Sequence, residues 1–591
     1  MAEVSRLFEI SWEVCNKVGG IHTVITSKLP QALRSFPDRY CAVGPYLPGN
    51  PSPEFSEQPL PDFLKGVSEQ LAQKGVQLHY GTWLVPGEPP VILLDWTGLV
   101  EWRDAIKARY WEKYQLDTLG SDFYDLDQPL LWSTAVGMLI EECSVSSDNP
   151  IIAHGHEWLS AGLFLHLGLE ERPKVRTVFT THATVLGRSL LSHDIFIYDK
   201  LDKIKPDEDA KTYGVTSKHQ LEKLSATHAT VFTTVSQVTA EEAFCFLGRA
   251  PEVVTENGLA VHEFPAFDRL CIARTETREK LDDFVSAYFF PSYRFDLTKV
   301  SYQFTMGRYE SHNKGYDIYL DSLARLNAKM KEEKSDKIVV SFLLVATGSL
   351  GVRPEITTQL MIYRRVVNLL SQLAAATQRD VYRELWDSDP KQPHALIDPE
   401  LHETIRHLLT RLPHQESPAI SPFVMYNGDQ DEISKLATKY GLGNTKEDKV
   451  KVVFMPVYLD GFDGIFNIPL YDLLSGFDLG VFPSLYEPWG YTPMESLVMG
   501  VPAVTSNLAG FGQSLPNRVP RTQAALVLDR SSGDTEKAAS DLATYLWESL
   551  AESPREWLLR RMDAYTTIQA FSWNKLYEAY THTYALATEG M

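Results

Sequence analysis

Short apolar runs alternate with amphipathic stretches along most of the chain. In the first half, runs rich in β-branched and aromatic residues cover 7–12, 40–45, 91–95, 150–156, 177–181, 230–235 and 253–255. Several of them lead into a turn and then into apolar positions at helical spacing, which predicts strands that alternate with helices. Over about 260 residues this order is typical of a doubly wound α/β domain.

The pattern restarts in the second half. Strands are predicted at 302–306, 339–345, 451–455 and 479–482, with an amphipathic helix from Tyr316 to Met330 and another beginning at 493–499. The segment 354–425 does not fit a compact βα unit, because its apolar residues follow helical spacing at Leu360, Tyr363, Val366, Val367 and Leu370, then in 381–386 and 401–412. It predicts an inserted helical subdomain whose apolar face is a candidate oligomer contact.

Three further segments complete the pattern. The proline-rich stretch 45–61 predicts a loop, 102–124 is helical and irregular in turn, and Asn257-Gly258 predicts a turn. Residues 555–586 predict helices that are interrupted at Phe571-Ser572-Trp573. We expect a domain at 1–290, a second at 291–565 with the insertion, and a terminal helix in 566–591.

Composition narrows the class. A chain of 591 residues favours two domains, and 44% apolar with 23% charged residues is typical of a soluble globular protein. An excess of 77 acidic over 56 basic residues argues against nucleic acid or an anionic membrane as the main partner. No leader and no apolar run of about 20 residues is present, which predicts a cytoplasmic protein.

The cysteines predict no covalent framework. They are five in number, widely spaced and without a C-x-x-C pair: Cys15, Cys41, Cys143, Cys245 and Cys271. We therefore expect reduced, mostly buried thiols, with neither a zinc site nor a set of disulfides.

Two carboxylates follow the strand at 479–482. Glu487 lies on the turn after that strand, and Glu495 lies within the next helix. In an open α/β sheet ligands bind at the carboxyl ends of the strands, and a helix N-terminus there favours phosphate. The alternative is structural, with Glu487 as a helix cap and Glu495 as a solvated surface residue.

A Gly-Gly loop follows the first strand. Lys17 and the glycines Gly19 and Gly20 precede an amphipathic helix, so the backbone can approach a phosphate or sugar closely while the lysine supplies a charge. Ordinary turn chemistry is the alternative for such a pair of glycines.

Histidines end two other predicted strands. His154 and His156 stand beside Glu157, but two histidines without a third spaced ligand are weak evidence for a metal, and hydrogen-bonding or packing roles are favoured. His182 ends the strand at 177–181 and Arg188 follows it. A lone histidine is usually structural, yet here a strand end and an anion-binding arginine come together.

Arg308 and Lys314 flank the junction between the strand at 302–306 and the helix from Tyr316. Solvated surface positions are the common fate of such residues. The strand-to-helix junction and the glycines beside them favour convergence on one phosphate group.

These motifs occur in one order that resembles the eukaryotic type of glycogen synthase, glycosyltransferase family 3. The matching stretches are K-V-G-G at 17–20, T-H-A-T at 181–184, G-R-Y-E at 307–310, N-K-G at 313–315 and Y-E-P-W-G-Y-T-P at 486–493. Glu487 and Glu495 resemble the E-x7-E pair of retaining glycosyltransferases. The resemblance implies a GT-B fold, with two Rossmann-like domains facing a cleft and a C-terminal helix crossing back.

The resemblance also implies the reaction and the roles of the residues. Glucose would pass from a nucleotide-glucose, UDP-glucose in the eukaryotic branch, to the 4-hydroxyl at the non-reducing end of an α-1,4-glucan with retention, without a metal or other cofactor. Glu487 would contact the glucose, His182 would lie against it, and Arg308 and Lys314 would hold the diphosphate. The implied donor-binding set is Lys17, Gly19, Gly20, Arg188, Asn257, Tyr471, Gly490, Tyr491, Thr492 and Glu495.

Departures from the family qualify the expectation. The chain lacks the family's terminal phosphorylation tails, which suggests a bacterial member, and only Arg555, Arg560 and Arg561 stand near the arginine-rich effector helix, so we expect weak or absent activation by glucose 6-phosphate. The helical insertion resembles one linked to tetramers. An idle glycogen-binding scaffold and a glucosyltransferase acting on a small acceptor are the alternative functions, and the sequence does not decide between UDP-glucose and ADP-glucose.

Overall fold

A computed structural model describes residues 4–589 except 48, 50–51, 119, 146, 148, 171, 173, 385–398 and 413–415. The strands of the first half are β1 (Arg6–Ile10), β2 (Tyr40–Pro45), β3 (Phe55–Glu57), β4 (Gln77–Trp83), β5 (Pro90–Asp95), β6 (Ile151–His156), β7 (Val175–Thr181), β8 (Val231–Thr234) and β9 (Val253–Val254). Those of the second half are β10 (Val300–Met306), β11 (Ile338–Leu344), β12 (Ser349–Val352), β13 (Phe423–Met425), β14 (Val450–Met455), β15 (Leu479–Val481), β16 (Ala503–Ser506) and β17 (Ala525–Leu528).

Helices connect most of these strands. Those of the first half are α1 (Gly20–Ser35), α2 (Asp62–Gln73), α3 (Arg103–Tyr114), α4 (Gln128–Val145), α5 (Ala161–Leu167), α6 (Val185–Ser192), α7 (Pro206–Thr212), α8 (Thr216–His228) and α9 (Gln237–Leu247). They continue with α10 (Phe267–Phe289), α11 (Ser311–Lys314), α12 (Tyr316–Glu332), α13 (Pro354–Glu384), α14 (Pro399–Leu409), α15 (Glu432–Lys439), α16 (Leu470–Leu474), α17 (Tyr491–Val498), α18 (Gly510–Arg518), α19 (Thr535–Ser549), α20 (Pro554–Ile568) and α21 (Trp573–Thr588).

The first sheet has the strand order β3-β4-β5-β2-β1-β6-β7-β8-β9. Its pairs from β5 to β9 are parallel. At the other edge the pairs β3–β4 and β4–β5 are antiparallel, so β4 runs against its neighbours while β3 has the direction of β5. The chain moves outward from β1 through β2 and returns to its other side at β6, so the topological switch point lies between β1 and β6. Ligands of open α/β sheets bind at such points, beyond the carboxyl ends of the strands.

The second sheet is parallel throughout, in the order β14-β11-β10-β15-β16-β17. Its switch point lies between β10 and β15 for the same reason. Arg308 follows β10 and Glu487 follows β15, so the topology brings these two motifs to one crevice although they lie far apart in the chain. The predicted doubly wound α/β architecture is confirmed for both halves.

The last helix crosses back to the first half. Leu259 forms a β-bridge with Ser572, and the Trp573 indole N–H donates to Ser27 Oγ on α1 at 2.7 Å. α21 packs on α1 and on the strands β7, β8 and β9. α20 instead packs on α17 of the second half, so the predicted crossing helix is α21.

Helix α10 follows the first sheet in the chain but packs on the second. Arg274 donates to the Phe477 carbonyl at 2.7 Å, Arg278 donates to Asp478 at 2.8 Å, and Tyr288 donates to the Ala419 carbonyl. The predicted division at residue 290 assigns α10 to the first domain, whereas by packing it belongs with the second half.

The described part of the inserted segment is mainly helical, as predicted. α13 and α14 are connected to the sheet through the antiparallel pair β12–β13, and α13 packs on α10. Apolar side chains stand exposed on these helices at Met361, Leu370 and Leu409. The predicted helical stretch 381–386 falls partly outside the described residues, because α13 is described only to Glu384.

Two loop predictions were wrong in part. The stretch 45–61 contains β3, which pairs with β4. Neither of these two strands was predicted from the sequence. Asn257-Gly258 forms no turn, because the next residue bridges to Ser572 and a Cβ on Gly258 would lie 2.6 Å from the Trp573 ring. Close packing on α21, not a turn conformation, is the reason for glycine there.

Candidate active site

Lys314 and Glu487 meet at the switch point of the second sheet. The Lys314 ammonium donates a short hydrogen bond to the Glu487 carboxylate, and both side chains are largely buried. Arg308 lies on the same side with its guanidinium 62% exposed and 3.3 Å from Glu310 Oε1. A cation pair with one exposed member at the end of a parallel sheet can receive a multiply charged anion.

Glycine and a buried arginine fix the position of Lys314. Gly315 has φ +74°, and a Cβ there would lie 2.2 Å from the Pro483 carbonyl oxygen, so no other residue fits without movement. That carbonyl accepts a hydrogen bond from Arg530 at 2.7 Å. Arg530 is 3% exposed and was not predicted from the sequence.

Glu495 pairs with Tyr471 rather than with Glu487. The Tyr471 hydroxyl donates to Glu495 Oε1 at 2.7 Å, and burial raises the pKa of Glu495 although this hydrogen bond partly opposes the shift. The Tyr471 ring is 40% exposed and packs edge-on against Phe264. An exposed aromatic face beside a carboxylate is suited to a base and a ribose.

Helix α17 begins between the two glutamates. Gly490 is its N-cap with φ +106°, and a Cβ there would meet Glu487 Cγ at 3.1 Å. Tyr491 packs on the hydrophobic core, and Thr492 is half-buried in the first turn. The predicted residues 490–492 therefore shape the helix start beside Glu487, whereas Tyr491 faces inward.

His182 and Arg188 lie on the facing wall, at the two ends of the segment 182–188, which follows β7 and includes the start of α6. His182 is 9% exposed and its Nε2 lies 3.0 Å from His156 Nδ1. Burial lowers the pKa of Arg188, but nearby groups outweigh it and raise the pKa: Tyr486, Glu157, Glu310 and Glu487. Since Glu310 and Glu487 belong to the second half, Arg188 lies within electrostatic reach of the Lys314–Glu487 pair.

Three buried carboxyl groups hold this segment in place. Glu157 accepts from the His182 and Ala183 N–H groups at 3.0 and 3.1 Å. Glu222 accepts from the Val185 N–H at 2.9 Å and from the Thr181 hydroxyl. Glu242 accepts from the Thr184 hydroxyl at 2.6 Å and from the Tyr198 hydroxyl at 2.9 Å. The backbone that carries His182 is thus fixed from three sides.

Burial raises the pKa of all three groups. The pKa of Glu222 is raised to about 8 by burial and by the charge of Glu157, and those of Glu157 and Glu242 to about 7. Glu157 also has φ +65° and ψ 165°, a conformation almost restricted to glycine. Such strain directly after β6, at the switch point of the first sheet, is typical of functional sites.

We expect Glu222→Gln to stabilise the protein increasingly as the pH rises. The folded protein retains a proton on Glu222 that the unfolded chain loses above about pH 4.5, so the stability from this group is lost as the pH rises towards 8. A glutamine copies the protonated acid and removes this cost. The melting temperature of the variant relative to wild type should rise by roughly 2–4 °C between about pH 5.5 and 8.5.

The matched control is Glu536→Gln, which removes a carboxylate whose side chain is 82% exposed. Its melting curve should follow wild type at every pH. Parallel pH dependences for wild type and Glu222→Gln would contradict the raised pKa.

The Gly-Gly loop is already bonded to an acidic side chain. Glu13 Oε2 accepts from the Gly19 and His22 N–H groups, both at 2.9 Å, at the N-terminus of α1. Lys17 and Gly20 are exposed beside it. Glu13 was missed by the sequence reasoning, and an anion at this helix end would have to compete with it for the Gly19 N–H.

Tyr486 joins the two halves of the protein. Its side chain is 6% exposed and packs, with Leu485, into the hydrophobic core of the first half. Its hydroxyl donates to the Thr184 carbonyl at 3.4 Å. Because Glu487 follows directly, this contact sets Glu487 opposite the His182–Arg188 segment.

The histidines that end β6 make hydrogen bonds, as predicted. His154 contacts Thr180 Oγ1 at 2.7 Å and the Tyr584 hydroxyl at 3.0 Å, and His156 contacts Glu9 at 2.9 Å. Potential ligand atoms of Glu9, His154 and His156 lie within 4.8 Å of one another. A cation there would have to displace Lys28, whose ammonium is bonded to Glu9.

Some predicted residues show no contact with the rest of the set. Asn257 is buried, and its Oδ1 has no partner in the described part of the chain.

Cys15, Cys41 and Cys143 are buried, as expected for packed thiols. Arg560 and Arg561 of α20 contact Glu552 and the Gly500 carbonyl, respectively. No described helix is both long and apolar enough to cross a bilayer.

Two solved structures align with almost the whole chain. The catalytic domain of starch synthase IV from Arabidopsis thaliana, bound to ADP and acarbose, aligns with a TM-score of 0.53 at 13% identity over 99% of each chain. A trehalose 6-phosphate synthase from Burkholderia multivorans aligns with a TM-score of 0.50 at 11% identity, over 99% of this chain and 97% of that one. The fold of the chain is GT-B.

The sequence relatives narrow this class. The sequence model of the family described as glycogen synthase matches residues 9–590. The human liver glycogen [starch] synthase is 31% identical over 98% of this chain and 82% of its own, and isoform 1 from Saccharomyces cerevisiae is 32% identical over 96% and 84%. The chain belongs to the glycogen synthase family, which confirms the resemblance and supports a role in glycogen or starch synthesis.

Proposed function

We propose that this protein transfers glucose from UDP-glucose to the 4-hydroxyl at the non-reducing end of an α-1,4-glucan, with retention of configuration. The observation that carries the proposal is the Lys314–Glu487 pair at the switch point of the second sheet, with the exposed Arg308 beside it and Arg188 within electrostatic reach. These groups offer three cations and one carboxylate to a single sugar diphosphate.

The charges fit the transition state of such a transfer. Cleavage of the glycosyl–phosphate bond leaves positive character on the sugar and negative charge on the departing diphosphate. Arg308 and Lys314 stabilise the leaving group, and Glu487 lies where it can contact the sugar. These residues supply the charge stabilisation that the leaving group needs.

We infer a front-face mechanism, in which the departing phosphate oxygen accepts the proton of the acceptor hydroxyl while that hydroxyl attacks the same face of the sugar. Glu487 is bonded to Lys314, which lowers its availability as a nucleophile. Mass spectrometry of protein quenched during turnover should find no glucosylated peptide. A covalent glucosyl adduct on Glu487 or another side chain would contradict this mechanism.

The other predicted residues contact different parts of the donor. We propose that Tyr471 stacks on the base, that Glu495 binds the ribose, and that Gly490, Tyr491 and Thr492 shape the helix start beside the phosphates. On the facing wall His182 lies against the sugar. Arg188, Lys17, Gly19, Gly20 and Asn257 complete the donor-binding set.

We expect Glu495→Gln to raise the donor KM by about 5- to 20-fold with a smaller effect on kcat. The Tyr471 hydroxyl donates to Glu495, so the substitution disturbs both the carboxylate and the ring that it orients, at a cost of about 1–2 kcal/mol of binding. Initial rates at varied donor concentration measure the change. A fall in kcat with an unchanged donor KM would contradict the nucleotide-side role of Glu495.

The test of the function is incubation with labelled nucleotide-glucose and glycogen, with UDP-glucose and ADP-glucose compared side by side. Label in polymer as α-1,4-linked glucose, with faster transfer from UDP-glucose, supports the proposal. Donor binding without any transfer would favour a glycogen-binding scaffold, and transfer only to a small sugar would favour a different acceptor. Faster transfer from ADP-glucose would contradict the donor assignment alone.

We also propose a cytoplasmic homotetramer whose two halves close on the donor. The exposed apolar residues Met361, Leu370 and Leu409 of the insertion support an oligomer contact there. The division of binding groups between two sheets supports closure. Sedimentation velocity and small-angle scattering with and without UDP measure the two properties.

A further inference from the structure

A buried ion pair lies beneath His182. Glu9 on β1 and Lys28 on α1 are both fully buried, and the Lys28 ammonium donates to Glu9 Oε1. The Tyr40 hydroxyl donates to Glu9 Oε2 at 2.7 Å, and Lys28 lies 5.0 Å from the centre of the Tyr580 ring of α21. Burying a charge costs free energy unless the charge is paired, so each of these two residues needs the other as its partner.

The pair is connected to His182 through one histidine. Glu9 Oε1 lies 2.9 Å from His156 Nε2, and His156 Nδ1 lies 3.0 Å from His182 Nε2. All three side chains lie at the carboxyl ends of β1, β6 and β7, and all are buried. The contacts form one continuous chain from Lys28 to His182.

The ionised state of Glu9 sets the direction of the hydrogen bonds in this series of contacts. An ionised carboxylate only accepts hydrogen bonds, so His156 must carry its proton on Nε2 to donate to Glu9. The Nδ1 of a neutral His156 is then an acceptor. Within the described residues its hydrogen-bond partner is Nε2 of His182, which must therefore carry the proton and donate it.

The remaining nitrogen of His182 faces outward. His182 Nδ1 has no hydrogen-bond partner in the described part of the chain, and it is not among the unpartnered polar atoms that are closed off from solvent. Nδ1 is therefore accessible, and in the tautomer that the hydrogen bonds to His156 and Glu9 impose it carries a lone pair and no proton. It can accept a hydrogen bond, for example from a hydroxyl group.

We propose that Glu9 and Lys28 are positioning residues which, through His156, fix His182 as the neutral Nε2–H tautomer, so that Nδ1 accepts a hydrogen bond from a hydroxyl of the transferred sugar. Lys28 keeps Glu9 ionised, and Glu9 sets the direction of every bond that follows. The tyrosines of α21 cover the pair, which gives the crossing helix a part in the site. The role assigned to the sugar hydroxyl rests on the proposed function, whereas the tautomer does not.

The tautomer is measured directly by 15N NMR of protein labelled at histidine, with His156→Gln and His182→Asn used to assign the signals. Wild type should show Nε2 protonated and Nδ1 bare in both His156 and His182, with or without substrate. A proton on Nδ1 of His182 would overturn the proposal. This readout requires no turnover, so it stands whether or not the chain transfers glucose.

The double variant Glu9→Gln, Lys28→Met tests the control of the tautomer. It removes both charges together, so that neither is left buried alone, and a glutamine amide can donate to His156 as well as accept from it. We expect signals of both His182 tautomers, a fall in kcat of about 10-fold and a donor KM within about 2-fold of wild type.

The matched control is Asp62→Asn, Lys65→Met, which removes an ion pair with side chains 96% and 63% exposed. It should leave the spectrum and the rates unchanged. An unaltered His182 tautomer in the Glu9–Lys28 double variant, or a wild-type kcat with the tautomers mixed, would overturn the proposal. Failure of wild type to transfer glucose to polymer would instead overturn the proposed function and the sugar contact that rests on it.

Discussion

Glu487→Gln should lower kcat by about 100- to 1,000-fold while the donor KM changes by less than about 3-fold. The carboxylate lies between Lys314 and the wall that carries His182 and Arg188, where positive character on the sugar develops only during transfer. Glutamine keeps the shape but removes the charge. Lys314 would remain to bind the ground-state diphosphate, so binding is affected less than turnover.

Initial-rate kinetics with UDP-glucose and glycogen measure this effect, with Glu536→Gln as the surface control that should retain wild-type rates. The comparison with Glu495→Gln is decisive for the division of roles. Equal effects of both substitutions, confined to the donor KM, would show that Glu487 does not act on the sugar.

Lys314→Met should lower kcat/KM for the donor by about 100- to 1,000-fold, through both a higher donor KM and a lower kcat. The ammonium is bonded to Glu487, and the close packing of Gly315 on the Pro483 carbonyl fixes the backbone beside it. Its loss removes charge from the diphosphate in the ground state and in the transition state, and leaves Glu487 without its partner.

The double variant Lys314→Met, Glu487→Gln gives a sharper measurement. If the two groups act as one unit, its kcat/KM should be no more than about 10-fold below that of the worse single variant. If the fold-losses in kcat/KM of the two single variants multiply in the double variant, Lys314 and Glu487 do not act as one unit. Lys537→Met, at a position 55% exposed, is the control for removal of a lysine charge.

Local patterns predicted many of the strands. The β-branched runs became β2, β7, β8, β10, β11 and β14, because short apolar runs bounded by turn residues fold as buried parallel strands. Arg308 follows β10, Lys314 ends the short helix α11 after it, and Glu487 follows β15, so the switch point between β10 and β15 brings the three residues to one crevice. The order of the strands in the sheet therefore brings motifs that are distant in the sequence close together.

Residues that act through burial could not be found in this way. Glu222 and Glu242 lie on α8 and α9, in the ordinary polar pattern of helices, and only tertiary packing turns them towards the segment that carries His182. Arg530 follows β17 and contacts Pro483 across the sheet. Spacing along the chain contains no information on contacts of this kind.

Glu9 did leave a signal in the sequence. It interrupts the apolar run Leu7-Phe8-Glu9-Ile10, and a charged residue within a buried strand requires a partner. Lys28 gave a weaker sign, since it falls on the buried face of α1. A search for charges within apolar runs would have identified Glu9, although it could not have named Lys28 as the partner.

In the site that we propose, one nucleotide-sugar is held between the switch points of the two sheets. A crystal structure of the protein with UDP-glucose measures this directly. We predict diphosphate oxygens within hydrogen-bond distance of Arg308 and Lys314, the base on Tyr471, and the glucose between Glu487 and His182. A nucleotide bound away from the β10–β15 crevice, or a diphosphate that contacts neither Arg308 nor Lys314, would contradict the account.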